Sequence, residues 1–239
     1  MKWLNRTFIV FVLVFAMVLP VLTPVVSAAG TSNSALKDYH SMSMDEILNA
    51  SENLTWVFAG DSITHNGSWT QGMNSYSEWF EQYLLIADRE DDAVINTGWG
   101  GADIQDFLYY DDTPKGNGAK SDAGMGLEQF ITKYNPDVVF VKLGMNNRAM
   151  STAEFAKNYK LMLDGIYAEG KKNGKIPKII LITPTPLAGE TLLNQDRTDQ
   201  ASCWRFQKCL KQIAKEYDLL FVDLTSLSPS TKFSIVSAL

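Results

Sequence analysis

The amino-acid sequence predicts an α/β fold: a parallel sheet of five strands with helices on both faces. Five apolar runs of strand length recur along the chain, each nearly unbroken, as in strands covered on both sides. Segments with helical spacing of apolar residues separate them. Alternating strand and helix demands right-handed crossovers, which place helices on both sides of one sheet and give a doubly wound, three-layer sandwich. The composition agrees. A chain of 239 residues with 46% hydrophobic, 20% charged and 11% aromatic side chains fits one large domain and excludes a disordered, collagen-like or coiled-coil molecule.

The first 28 residues stand apart. Lys2 and Arg6 precede an uncharged run from Thr7 to Val26 that ends in Val26-Ser27-Ala28, the basic start, apolar middle and small-residue end of a secretory signal cut after about Ala28. The run is long enough for a retained membrane anchor, but Pro20 and Pro24 break it near its end. Cleavage removes two cations and no anion, so the exported chain is more acidic than the full chain at −6. Such a chain lacks the basic patches that nucleic acid requires, and after cleavage no membrane partner is expected.

Residues 29–54 read as a linker and a short helix. Small polar residues fill Gly30 to Ala35, and Ser43 with Glu46 has capping-box spacing. The domain, residues 55–239, opens near Thr55. Strands are expected at Thr55–Ala59, Ala93–Thr97, Asp137–Leu143, Lys178–Thr183 and Leu219–Leu224. Helices are expected after Ser75, capped with Glu78, and after Ser151, capped with Glu154, and from about Asp199 to Tyr217. Cys203 and Cys209 lie six apart on that last helix and point to different faces, which rules out a disulfide between them. His40 and His65 are the two histidines, and their contexts supply no metal site, so neither metal nor cofactor is expected. Asn49-Ala50-Ser51, Asn53-Leu54-Thr55 and Asn66-Gly67-Ser68 match the glycosylation pattern of a eukaryotic secretory pathway.

In a parallel α/β sheet the chemistry gathers outside the carboxyl ends of the strands. There the sequence places Gly60-Asp61-Ser62-Ile63-Thr64, then Asn96-Thr97-Gly98-Trp99-Gly100-Gly101, then Leu143-Gly144-Met145-Asn146-Asn147. Three strands therefore deliver a hydroxyl, a glycine-rich turn and a carboxamide to one edge. That set suits acyl transfer, with Ser62 as nucleophile and the Ser62 and Gly98 amides and the Asn146 carboxamide as oxyanion donors. Taken singly, each has a plainer reading: a strand-to-helix turn, a tight turn, a cap for the Ser151 region. Two other motifs fail, because Thr64 stands where a serine elbow needs glycine and Asp103 where a dinucleotide fingerprint needs its third glycine.

These three segments resemble the SGNH (GDSL-type) esterases and lipases over about Thr55 to Leu224. Gly60 to Thr64 is similar to that family's first block, Gly98 to its second-block glycine, and Gly144 to Asn146 to its third block. The resemblance implies a flavodoxin-like three-layer α/β/α sandwich and serine hydrolysis of an ester, with Ser62, Gly98 and Asn146 forming the oxyanion hole. It also implies a departure. The family takes its aspartate and histidine from an Asp-x-x-His block beyond the last strand, whereas this chain has no histidine after His65, and Asp223 is followed by Leu224, Thr225 and Ser226. The C-terminal part is therefore expected to be incomplete, and the serine under-activated. Trp69 and Trp99 are candidates for stacking on a sugar ring, which suits a small-molecule or polysaccharide ester, an acetylated carbohydrate among them. The alternative is a catalytically silent domain of the same fold that binds glycan or protein.

Overall fold

In the computed structural model, which describes residues 36–66, 72–108, 127–147, 149–185 and 198–224 and not the side chains of 127–129 and 198–204, the apolar runs form strands almost where the sequence places them. The strands are β1 (Lys37–Asp38), β2 (Thr55–Gly60), β3 (Ala93–Asn96), β4 (Val138–Lys142), β5 (Lys175–Ile176), β6 (Lys178–Ile182) and β7 (Leu220–Val222). The helices are α1 (Met44–Leu48), α2 (Ser62–His65), α3 (Tyr76–Ile86), α4 (Ile104–Leu108), α5 (Leu127–Tyr134), α6 (Thr152–Lys172) and α7 (Thr198–Glu216). The expected caps form: Ser43 and Ser75 each accept from the backbone of the glutamate three residues on, which reaches back in turn, and Ser151 caps α6 through Glu154 N–H. The signal segment, Trp69 and residues 225–239 lie outside the described residues.

Five strands form one parallel sheet in the order β3-β2-β4-β6-β7. Counted from β2 as the first strand of the sheet, this is the flavodoxin order 2-1-3-4-5, and its switch point, where ligands bind in such sheets, lies between β2 and β4. Side chains alternate across it as the pleat requires. Trp56, Phe58, Val138, Phe140, Ile180 and Ile182 point to one face, where Phe80 and Leu84 of α3 meet them together with Tyr39, Ile47 and Leu54. Val57, Ala59, Val139, Val141, Ile179 and Leu181 point to the other, under α4, α5, α6 and α7. Phe58 stacks on Phe140 with centroids 4.3 Å apart in the first core, and Phe155 of α6 stacks on Phe206 of α7 at 4.0 Å in the second.

Gly30 to Ala35, the expected linker, lie outside the described residues, and the short helix expected after Ser43 forms as α1 within a stretch that belongs to the folded body. Residues 36–54 dock onto the sheet, with β1 pairing in parallel with β5 and Tyr39, Ile47 and Leu54 buried beside Trp56. Arg89 staples the segment down: its Nε and Nη2 fork onto Asp92 at 2.7 and 2.8 Å, while the guanidinium also donates to the carbonyls of Leu48, Ala50 and Glu52 at 3.1, 2.7 and 2.9 Å. Asp92 in turn accepts from Leu54 N–H at 2.8 Å and Trp56 Nε1–H at 2.7 Å. Lys178 adds two bonds, to the carbonyls of His40 and Met42 at 2.9 and 2.7 Å. Carbonyl acceptors carry no residue signature, so the sequence gives no sign that this stretch belongs to the core.

Candidate active site

The chain leaves β2 at the centre of the sheet and turns at once into α2. Asp61 is its N-cap: the Asp61 carboxylate accepts from Ile63 N–H at 3.0 Å, and its carbonyl accepts from the amides of Thr64 and His65, each at 3.0 Å. Ser62 is thereby fixed as the first helical residue, half-buried, with its own amide among the first-turn donors that have no acceptor inside the helix. Asn66 closes the turn in the left-handed region at φ 56° and ties it to the next helix, its Nδ2 donating to the Met73 carbonyl at 2.8 Å and to Glu78 at 3.2 Å. Beneath α2, Thr64 Oγ1 and the Tyr76 hydroxyl share a hydrogen bond of 2.8 Å, and burial raises the Tyr76 phenol well above the ordinary tyrosine value.

β3 and β4 flank β2 and bring the other two segments to the same edge. The β2–β3 ladder continues past the strands, Thr97 N–H donating to the Phe58 carbonyl and Trp99 N–H to the Gly60 carbonyl, both at 2.9 Å. On the opposite side Gly60 pairs in register with Lys142, so Ser62 and Gly144 each lie two residues beyond the paired ends. From the turn after β4, Asn146 reaches across and donates one amide hydrogen to the Ala102 carbonyl at 2.8 Å. Its second amide hydrogen has no acceptor among the described residues. The serine, the glycine-rich turn and the carboxamide thus follow three adjacent strands at the carboxyl edge of the sheet.

Within that turn the structure reassigns the glycines. The Gly98 amide is already used, donating to Asn96 Oδ1 at 2.9 Å, while Asn96 Nδ2 donates to the Thr64 carbonyl at 2.6 Å and to Ser77 at 2.9 Å. Gly98 is needed for another reason: a Cβ there would lie 2.3 Å from the backbone nitrogen of His65 and 2.6 Å from the carbonyl carbon of Thr64. It lets β3 and α2 touch, and it does not present a donor to the site. Gly101 has the opposite character. It is exposed, sits at φ +82° with open space where a Cβ would stand, and directly precedes Ala102, whose carbonyl holds Asn146. Its amide has no acceptor among the described residues.

Trp99 does not form a stacking platform. Its side chain is 4% exposed and packs into the core with Ala102, Val57 and Ala59, because the turn that frees Gly101 drives the preceding indole inward. Nor does either histidine face Ser62. His40 lies near the start of β6, at the end of the sheet opposite Ser62; its Nδ1 bonds the Tyr167 hydroxyl at 2.9 Å, and its carbonyl takes the Lys178 ammonium. His65 shares α2 with Ser62, but it lines a groove of about 150 Å³ with Ser77, Glu81, Val94 and Asn96, a groove whose lining does not include Ser62. Asp223 follows β7 and accepts from Gln207 Nε2 at 2.7 Å. Cys209 is a free, buried thiol with its pKa raised by that burial. Among the described residues no group of three His, Cys, Asp or Glu side chains could hold a metal ion, and no helix is long and apolar enough to cross a membrane.

The sequence profile of the GDSL-like lipase/acylhydrolase family matches residues 58–235, a span that contains all three segments. The chain belongs to this family. Solved structures agree on the fold. A lipase/acylhydrolase from Enterococcus faecalis aligns with a TM-score of 0.50 at 22% identity, over 74% of this chain and 81% of that one. A catalytic mutant of an acetylxylan esterase from Geobacillus stearothermophilus gives 0.54 at 19% identity, over 80% and 83%. A carbohydrate acetylesterase family member from Sinorhizobium meliloti gives 0.53 at 20%, over 71% and 82%. Among curated proteins no sequence matches the chain at a significant level. For this GDSL-family chain the parallel five-stranded sandwich is therefore shown, and the family and its structural neighbours support an esterase-type function.

Proposed function

We propose that the protein is an exported serine esterase that acts on a small-molecule or polysaccharide ester, in the first place an acetylated carbohydrate. The observation that carries this reading is that Ser62 at the head of α2 and the Asn146 carboxamide, bonded to the Ala102 carbonyl, follow the neighbouring strands β2 and β4 at the same edge of the sheet. The Ser62 hydroxyl attacks the acyl carbon, and the negative charge that develops on the carbonyl oxygen is met by the Ser62 amide, the Gly101 amide and the second hydrogen of Asn146 Nδ2. Collapse expels the alcohol, which takes up the proton that left Ser62, and water then hydrolyses the acyl-serine. Two of the three oxyanion donors are those expected from the sequence, and Gly101 takes the place of Gly98. The neighbours named as acetylxylan and carbohydrate acetyl esterases support the choice of acetylated carbohydrate.

The weak point of this chemistry is the proton. Neither His40 nor His65 is placed to accept it from Ser62, and no other histidine occurs in these 239 residues. A triad enzyme deprived of its base keeps only about 10³- to 10⁴-fold over water, from the oxyanion hole and binding. The chain is accordingly expected to turn over a simple acetyl ester slowly, to lose that activity in Ser62→Ala, to keep it in His65→Ala, and to gain orders of magnitude when an Asp-x-x-His segment is appended after Leu239. A fluorophosphonate probe that fails to mark Ser62 even with the appended segment would overturn the esterase reading and favour the glycan- or protein-binding domain.

A further inference from the structure

Asp61 Oδ2, the Tyr159 hydroxyl and Asn147 Oδ1 are among the buried polar atoms near the candidate site that have no hydrogen-bond partner among the described residues. Asp61 is 1% exposed, and its cap bond to Ile63 N–H occupies only one carboxylate oxygen. A buried carboxylate oxygen without a donor is expensive, so one is expected nearby. The strand geometry says where. Val57 and Ala59 face the core beneath α6, and Asp61 continues that period of two to the same side. The β2–β4 register, Ala59 with Val141 and Gly60 with Lys142, extends to set Asp61 opposite Leu143. Tyr159, fully buried on α6 and 5.2 Å from the Phe155 ring, carries its hydroxyl to the Leu143 amide, which lies near the phenol oxygen without forming a well-aligned bond to it.

Two phenols feel the Asp61 charge, Tyr76 and Tyr159, and in both burial is the larger cause of a raised pKa. Tyr76 approaches from α3, on the opposite face of the sheet, and its hydroxyl is engaged with Thr64. Tyr159 lies on the same face as Asp61 with its hydroxyl uncommitted. We propose that Tyr159 is a positioning residue whose hydroxyl donates to Asp61 Oδ2, directly or across one bridging water, and so locks the N-cap that sets Ser62 at the head of α2. The catalytic part of this proposal rests on Ser62 being the nucleophile; the hydrogen bond itself does not.

The experiment separates the two. Near-ultraviolet difference spectra of Asp61→Asn against its parent should show a perturbed tyrosine in the wild-type background, the same signal in Tyr76→Phe, and none in Tyr159→Phe. Fluorophosphonate labelling of Ser62 should slow roughly 10- to 100-fold in Tyr159→Phe, the cost of a displaced nucleophile, and no further in the double variant with Asp61→Asn. A signal that survives in Tyr159→Phe, that is lost in Tyr76→Phe, or that is absent from the wild-type comparison overturns the proposal. Should Tyr159→Phe not fold, the wild-type and Tyr76→Phe comparisons still decide between the two phenols. Should Ser62 not label even with the Asp-x-x-His segment appended, the esterase reading fails while the spectra continue to test the pairing.

Discussion

One face of the sheet is closed by four helices packed through apolar side chains, the other by α3 and a folded-back segment held largely through backbone carbonyls. Under α4 to α7 the contacts are of the kind represented by Phe155 on Phe206, side chain against side chain. Over Trp56, Phe58 and Phe140 the aromatic cluster is capped by Phe80 and then by residues 36–54, which stay in place because Arg89 and Lys178 donate five hydrogen bonds to their carbonyls. The difference teaches where this fold is brittle. Apolar packing loses stability in proportion to what is removed, whereas a buried charge that loses its partner costs far more than the pair ever contributed.

The largest expected effect follows from that asymmetry. Arg89→Met leaves Asp92, whose side chain is 2% exposed, as an uncompensated buried carboxylate and strips three carbonyls of their donor. Unfolding in urea should show a loss of about 3–5 kcal/mol, and adding Asp92→Asn should return part of it by removing the stranded charge while keeping one of the two oxygens that accept from Leu54 N–H and Trp56 Nε1–H. A loss below about 1 kcal/mol would mean that the segment is held by its apolar residues after all.

Gly98→Ala sharpens the comparison at the site. The added methyl meets the backbone of Thr64 and His65, which cannot swing aside as a flexible side chain would. Overpacking of this kind costs about 1–3 kcal/mol, and here it also pushes α2. Gly101→Ala, by contrast, has open space around its Cβ but an unfavourable φ of +82°. Its expected signature is slower Ser62 labelling with a smaller loss of stability, and the reverse pattern between the two glycines would restore Gly98 as the donor.

These two regions also differ in how much of them can be read from the sequence. The sheet and the long helices are legible because apolar runs and i, i+3, i+4 spacing report packing directly: the strand at Lys178 and the helix after Ser151 start where expected. The placement of Ser62 and Asn146 just past the ends of β2 and β4 is legible because it follows from the strand positions. The docking of residues 36–54 is not, since its acceptors are backbone groups. The capture of the Gly98 amide by the Asn96 side chain is not, since Gly98 and Gly101 lie in one glycine-rich turn and nothing in the sequence pattern marks which amide is engaged. Trp99 reads as a candidate for stacking on a sugar because it sits near the proposed site in the sequence. Its burial depends on the turn geometry, which composition does not carry.

On the helical face the corresponding perturbation is small. Ile213→Val in α7 removes one methylene from a fully packed position, for a loss of about 0.5–1.5 kcal/mol. If it rivals Arg89→Met in a urea titration, the two faces are not closed by different means and the contrast collapses.

The smallest effect lies at the rim of the docked segment, where Lys37 and Glu52 form an ion pair with side chains 47% and 39% exposed. The hydrogen bond from Lys37 is the main reason that the Glu52 carboxyl sits below its ordinary value. A folded-state pKa below the unfolded one means that the stabilisation is fully present above the unfolded value and is lost as the pH falls through the folded value. Solvent screening at this exposure limits it to about 0–1 kcal/mol. Glu52→Gln should therefore be slightly less stable than the parent near neutral pH, and the gap should close on acidification and also in high salt, which screens an exposed pair. A gap that widens as the pH falls would have the wrong sign for this pair.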